Sequence, residues 1–391
     1  MSLGAFALVA SEFMPVSLLT PIAADLGISE GQAGQAIAIS GAFALVTSLC
    51  ISSVAGRLDR RRLLLGLMLL MILSGTVVAF APNNLAFMAG RALIGVAIGG
   101  FWSMSAATVM RLVPPLQVPR ALAVLNGGNA LATVLAAPLG SFLGGIVGWR
   151  WAFFAVVPVA GVALLWALAT LPRLPARVPS RPGGVIALLR RPMVVLGMLA
   201  SGMFFMGQFA LFVYLRPFLE TVTHLDVTGI SLVLLLLGAS GLAGTFLIGR
   251  YLSGPGLYRT LCVIPMGMAV IAVALMVLGG SAGGTALLAG LWGLLATAAP
   301  VGWWTWLART LPDDAEAGGG LLVAIVQLSI TLGATVGGLL YDMNGYRGTF
   351  TASALMLVTA AVLAHWVGRR ARQGHDAPAA ALAGEHGAMG S

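Results

Sequence analysis

The sequence predicts an all-α membrane protein with twelve transmembrane helices in two pseudo-symmetric six-helix bundles. Three observations predict it: too few charges to coat a soluble fold, twelve apolar stretches long enough to cross a bilayer, and a residue pattern shared by the two halves of the chain. Of 391 residues, 59% are hydrophobic and 8% charged, against roughly 25% charged in ordinary soluble domains. The 52 glycines have no three-residue period, which excludes collagen. They suit close approach of neighbouring membrane helices.

A hydrocarbon core of about 30 Å takes roughly 20 apolar residues per helix. Dividing the chain wherever charge, proline or glycine clusters interrupt it gives spans at Leu3–Ala24, Gly31–Gly56, Leu63–Ala81, Leu85–Met110, Ala121–Val147 and Trp151–Leu171. A second set follows at Met193–Leu219, Val227–Gly249, Tyr258–Gly279, Gly284–Ala308, Leu321–Tyr341 and Thr349–Gly368. The domains expected are therefore an N-terminal bundle over 1–172, a cytoplasmic linker over 173–191, a C-terminal bundle over 192–369 and a disordered cytoplasmic tail over 370–391. The first span carries Glu12 and no charged residue before it, unlike a cleaved signal peptide.

All the basic residues are arginine, and of the 21, seventeen fall in loops on one side when the loops are assigned alternately. The positive-inside rule puts that side, and both termini, in the cytoplasm. The arginines sit singly or in short runs between apolar stretches, so nucleic acid is not an expected partner. Cys50 and Cys262 lie in apolar runs with no metal-ligand spacing and read as small core residues. His375 and His386 fall in the tail, and no metal is expected.

The halves repeat. Gly140, seven residues, then Gly148-Trp149-Arg150 matches Gly337, seven residues, then Gly345-Tyr346-Arg347 at a constant offset. Gly56-Arg57 matches Gly249-Arg250, and Gly100-Phe101-Trp102-Ser103 matches Gly302-Trp303-Trp304-Thr305. Duplicated halves are a mark of secondary transporters, whose substrate sits at the midplane between two rocking units.

Several motifs then resemble one family. Ala55-Gly56-Arg57-Leu58-Asp59-Arg60-Arg61-Arg62 between the second and third spans resembles, in degenerate form, the glycine, acid and basic signature of the major facilitator superfamily. Arg91-Ala92-Leu93-Ile94-Gly95 resembles its fourth-helix arginine motif, and Ala136-Ala137-Pro138-Leu139-Gly140-Ser141 its fifth-helix antiporter motif. The likeness implies the drug:proton antiporter branch. Glu12 to Pro21, Gly99 to Ala106, Arg111 to Pro115 and Pro300 to Trp303 are similar to the bacterial purine ribonucleoside efflux pumps within that branch.

Glu12 lies nine residues beyond Leu3, about 14 Å into its helix at 1.5 Å per residue, near mid-bilayer. A carboxyl there is expected to face a cavity and to carry protons, although a structural carboxyl within the bundle is the competing reading. The resemblance assigns a proton-relay role to Arg91. Arg216 is the other intramembrane cation, and either pairing or reaching to the outer interface suits it. Asp59 with Arg57, Arg60 and Arg111 is expected to gate the arginine-rich face, Asp59 meeting the positive end of the eleventh helix near Glu316-Ala317-Gly318; the competing reading is that these arginines only fix orientation. Phe101, Trp102, Trp303 and Trp304 offer flat faces for a planar base, a lipid-facing or core position being the competing reading, and Asn126, Asn129, Gln208 and Gln327 offer polar groups for its edges or for helix packing.

No Walker loop, HExxH or GxSxG with partners occurs, so an enzyme is not expected and an ion gradient replaces ATP. The expected function is proton-coupled efflux from the bacterial inner membrane, with no cofactor. Small organic solutes, purine ribonucleosides first among them, are the expected substrates. A broader multidrug or sugar exporter, or a non-transporting sensor or scaffold, stands beside this reading. Partners are a small-molecule substrate, protons and lipid, with a monomer expected.

Overall fold

The computed structural model describes residues 1–54, 58–114, 117–175, 188–252, 256–311 and 314–388, and their side chains apart from 52–54, 106, 107, 110, 118–120, 122, 123, 126, 250, 315–317 and 373–388. Arg57 lies outside the described residues, as does the side chain of Asn126. No strand occurs among the described residues. The helices are α1 Ser2–Leu26, α2 Glu30–Val54, α3 Arg60–Ala79, α4 Asn84–Leu112, α5 Val118–Val147, α6 Trp149–Phe154 and α7 Val156–Thr170. The second set comprises α8 Pro192–Phe212, α9 Leu215–Thr221, α10 Val227–Leu247, α11 Gly256–Leu278, α12 Ala282–Thr310 and α13 Ala315–Ala388.

Eleven stretches among the described residues are long and apolar enough to cross a membrane, and the last, Gly318–Arg372, has 55 residues. At 1.5 Å per residue it measures about 80 Å, more than twice a bilayer core. Gly345, at φ 63 and ψ −164, breaks it into two arms. Twelve crossings result. The sixth is itself interrupted at Ala155, between α6 and α7, and the seventh at Val213–Tyr214, between α8 and α9. The final helix runs to Ala388, through the stretch whose composition reads as disordered.

The duplication is visible in geometry. Gly148 at φ 85 and Gly345 at φ 63 occupy matching places, and both use the left-handed region that side chains disfavour. After each, an arginine lies over its neighbour's ring, Arg150 on Trp149 at 4.3 Å and Arg347 on Tyr346 at 5.9 Å. Helix starts match too: Asn83 caps α4 through the Ala86 N–H, and Ser281 caps α12 through the Gly284 N–H.

Large apolar side chains such as Leu85, Trp166, Phe246 and Val277 are exposed on the outer faces, as lipid requires. Cys50 is exposed as well, so it is not the core residue expected, since in lipid an apolar position need not be an inner one; Cys262 is partly covered and packs against the core. The halves meet along two seams, α2 on the first arm of α13 and α5 on α10. Glycine makes the contacts possible. A Cβ on Gly34 would lie 2.0 Å from the Tyr214 hydroxyl, and one on Gly238 would lie 2.8 Å from the backbone of Val134.

Candidate functional site

Helix α1 is the most enclosed crossing, with 72% of its apolar window buried. Neighbours from its own half surround it, and α9 packs on it from the other. It contains two prolines, Pro15 and Pro21. Each lacks an N–H, so the carbonyl four residues earlier loses its helical donor. Those carbonyls belong to Ser11 and Ser17. A buried polar group without a partner is costly, and each carbonyl receives a buried arginine instead.

Arg91 of α4 is fully buried. Its Nη1 donates to the Ser11 carbonyl at 2.7 Å, its Nη2 to the Glu12 carbonyl at 3.2 Å and to Ser40 Oγ at 3.1 Å, and its Nε to the Ala36 carbonyl at 3.2 Å. One guanidinium therefore clasps α1 and α2 to α4 and fixes the backbone that carries Glu12. Its hold on Glu12 is through the main chain: among the described residues no ion pair within 4.0 Å joins the two, the ion pairs there being Asp25–Arg150, Arg191–Asp314 and Arg216–Glu220. Nor does any described residue hydrogen-bond the Glu12 carboxyl. Glu12 is partly buried. Because α1 is enclosed on all sides, its accessible part opens on the space between helices, away from acyl chains.

Aromatic rings close that space on one side. Phe13 stacks on Phe209 of α8 at 6.1 Å and meets Phe212 edge-on at 6.3 Å, across the two halves. Gln208 precedes Phe209 and shares a face with Phe212, four residues on. Its Oε1 is buried with no partner. Trp102 of α4 is half-buried beside Val9 and Ala10 of α1 and Ala132 and Ala136 of α5. Sequence reasoning missed Phe13, Phe209 and Phe212. Their adjacency to Glu12 and Gln208 was the available signal.

Phe101 and Trp303, expected to stack on a base, are 0% and 1% exposed. Phe101 packs on Gly4 of α1 beside Met68 of α3, and Trp303 meets Trp306 edge-on at 5.9 Å. A ring enclosed on both faces has none to offer a ligand, so the structure makes them core. Their matching neighbours, Trp102 and Trp304, are the accessible ones. Trp304 lies against Gly319 near the start of α13. Gln327 is 7% exposed in the α2–α13 seam, where its backbone carbonyl faces Gly41. Asn129 is partly buried in α5, its carbonyl receiving the Thr133 hydroxyl.

Arg216 of α9 is 4% exposed. Its Nη1 donates to the Ser17 carbonyl and to Ser141 Oγ at 3.4 Å, both in the other half, and its Nε to Glu220 at 2.8 Å. It does not reach an aqueous interface. Nearby, Asp342 at the end of the first arm of α13 accepts from Ser29 Oγ at 2.6 Å and from the Gly31 N–H at 3.0 Å, at the start of α2. The negative charge meets the positive end of that helix. Thr335 donates to Gln35 Oε1 and Thr331 to the Ala38 carbonyl further along. All of these cross-half bonds among the described residues lie between the helix midpoints and the arginine-poor end.

The expected gate at the arginine-rich end takes a different form. Asp59 accepts from the Arg61 N–H at 2.8 Å, capping α3, and from the Leu174 N–H at 3.2 Å. The Arg60 N–H returns a bond to the Leu174 carbonyl, and Arg111 donates to the Pro175 carbonyl at 2.9 Å. Asp59 is thus committed within its own half to the start of the linker and not to α13, because local capping offers donors already in place. Desolvation alone would raise the Asp59 carboxyl, but the backbone N–H groups of Arg61, Leu174 and Arg62 and the Arg62 charge hold it below the usual carboxylate range.

The sequence profile of the Major Facilitator Superfamily matches residues 1–321. The chain is 64% identical over 364 residues to the transcription regulatory protein OpdE of Pseudomonas aeruginosa, covering 92% of this chain and 90% of that one. It is 42% identical over 358 residues to the purine ribonucleoside efflux pump NepI of Salmonella typhimurium, covering 91% and 90%. Among solved structures, a D-xylose-proton symporter superposes with a TM-score of 0.75 at 16% identity over 93% of this chain and 95% of that one. An inward-facing, unoccupied bacterial homologue of the human lysosomal transporter Spinster gives 0.74 at 15% identity over 94% and 96%. These two are likenesses of fold.

Proposed function

The chain belongs to the major facilitator superfamily, a family of multi-pass membrane transporters and not enzymes, and from that premise we propose that it exports purine ribonucleosides such as inosine and guanosine in exchange for protons. The carrying observation is Glu12: a carboxyl inside the membrane, on the most enclosed helix, given no hydrogen-bond donor among the described residues, with its backbone immobilised by Arg91. Ionisable side chains inside a membrane span mark proton or substrate pathways, and a carboxyl can carry a proton. The relationship to NepI supports the nucleoside as cargo.

In this reading the arginine-rich end faces the cytoplasm of a bacterial inner membrane and the arginine-poor end the periplasm. The halves rock along the α2–α13 and α5–α10 seams, and cross-half bonds among the described residues hold the periplasmic end closed. Trp102 supplies the ring face for a purine, and Gln208, whose Oε1 lacks a partner, accepts from an N–H of the base. Phe13, Phe209 and Phe212 form the roof that separates cargo from the closed end. A proton arriving at Glu12 from the periplasm and a nucleoside arriving from the cytoplasm each favour a different orientation, and that antagonism couples the two flows.

The test is transport into proteoliposomes of inosine, guanosine, a sugar and a lipophilic cation, each with and without a pH gradient. Nucleoside movement that follows the gradient, with Glu12→Gln still exchanging nucleoside but no longer driven by pH, is the expected result. Movement of the cation without the nucleosides would replace this proposal with the multidrug one. A second reading has its own observation: 64% identity to a protein named for transcription regulation. A sensor would bind nucleoside without moving it, which the same vesicles distinguish.

A further inference from the structure

We infer that Arg216 is a releasable latch of the arginine-poor gate, seated on the backbone carbonyl that Pro21 leaves free in α1 and neutralised by a counter-ion that travels with it. The receptor comes from the chain itself. Pro21 lies inside α1 and brings no N–H, so the Ser17 carbonyl is open to an outside donor, and Arg216 Nη1 supplies it while also reaching Ser141 Oγ. Ser17 and Ser141 belong to the first half of the chain and Arg216 to the second. These bonds therefore exist only while the arginine-poor end is shut.

A buried guanidinium torn from its partners is a serious cost in a membrane interior. The arrangement avoids it. Glu220, one turn along the same helix, holds Arg216 Nε at 2.8 Å, and both residues move together when the halves part. Glu220 Oε2 is buried and has no partner among the described residues in the closed arrangement. Once Nη1 leaves Ser17, the guanidinium is free to turn its Nε–Nη2 edge onto the carboxylate, and Oε2 accepts from Nη2 beside the Nε–Oε1 bond, turning a single bond into a two-pronged one. Closed and open states thus each satisfy the cation. This is what lets a buried arginine lock the two halves and still release them. The inference rests on alternating access as proposed above but not on the identity of the cargo.

Spin labels at Leu85 and Val277, which are exposed near the arginine-poor end of opposite halves, report the gate by distance in lipid nanodiscs, after replacement of Cys50 and Cys262. The unmodified chain is expected to show mainly the short distance. Arg216→Met should raise the long-distance share several-fold. Pro21→Ala, which returns an N–H to Ser17 while keeping every side chain of the seam, should move it the same way, and this variant decides the matter if Arg216→Met does not fold. Glu220→Gln should act in the opposite sense, since the open state then leaves the cation unpaired. Pro15→Ala, at the Arg91 site, should leave the distances unmoved. Unchanged distances in both Arg216→Met and Pro21→Ala, opening by Glu220→Gln, or equal opening by Pro15→Ala would each overturn the latch. No nucleoside is present in the sample, so a gate that responds while no nucleoside is transported would sink the cargo reading and leave the latch standing.

Discussion

Arg91 and Arg216 begin from the same chemistry and end in opposite roles. Both are buried in the membrane, at 0% and 4% exposure, and both dock on an α1 carbonyl that a proline has deprived of its donor. Arg91 makes four hydrogen bonds, all to neutral acceptors within its own half. Arg216 spreads its bonds over both halves and brings its own carboxylate. A buried cation whose partners all sit in one rigid unit is a clasp; one whose partners are divided between two units is a switch. The counter-ion marks the difference, because only the group that must let go needs something to hold afterwards.

The largest effect that sharpens this comparison is on folding. Arg91→Ala leaves the Ser11 carbonyl with no donor, at about 1–3 kcal/mol, and removes three further hydrogen bonds from a charged donor at about 1.5–3 kcal/mol each, against a total stability of roughly 5–15 kcal/mol. Thermal unfolding in detergent should show far greater loss for Arg91→Ala than for Arg216→Ala; the reverse order would break the comparison.

Next comes the seam. A Cβ at Gly34 would lie 2.0 Å from the hydroxyl of Tyr214, which sits between α8 and α9 and donates to the Ala334 carbonyl of α13, so Gly34→Val must displace that ring and loosen α2 from the far half. Alkylation of a cysteine at position 335 from the arginine-poor side is expected to become fast, while the Arg91 clasp and the helix content stay intact. Slow labelling would mean that the seam is not what closes this end.

Asp342→Asn keeps the shape of the α2 contact and removes its charge. Hydrogen bonds to charged groups contribute about 1.5–3 kcal/mol and neutral ones about 0.5–1.5, so a weakening of about 1 kcal/mol, roughly a fivefold shift toward the open end, should appear in the same labelling rate. An unchanged rate would assign closure to Arg216 and the glycines alone.

The smallest effect is a control that touches neither arginine. The Asp59 carboxyl is held below its usual range, so its contribution is fully present above an unfolded value of about 4 and is lost as pH falls through the lower folded value. Hydrogen exchange at the Leu174 amide should accelerate only under that acid condition in the unmodified chain, and at neutral pH in Asp59→Ala. Protection that persists in the variant would show that the linker start is held by Arg60 and Arg111 without the carboxylate.

The sequence made some of this legible and hid the rest for identifiable reasons. Glu12 and Arg91 stood out because charge in an apolar span is rare, and Gly148 and Gly345 because identical spacing recurs around them. Pro15 and Pro21 announced two carbonyls in need of donors, but nothing local named the donors, which come from α4 and from the far half of the chain. Phe101 and Trp102 are neighbours of like chemistry, and a helical step of 100° puts one in the core and leaves the other accessible. The Asp59 expectation erred in choosing a distant helix end over the N–H two residues away.

What the sequence determined by itself was the solvent, the number of crossings, the duplication and the family, because each follows from composition or from a pattern that survives without knowing which helices touch. Only the tertiary structure decided which carbonyl each arginine fills, which aromatic faces stay open and where along the helices the described residues bond the two halves together. Those are properties of contacts between segments up to some three hundred residues apart in the chain, as between Ser29 and Asp342, and helical periodicity carries no information about partners at that range.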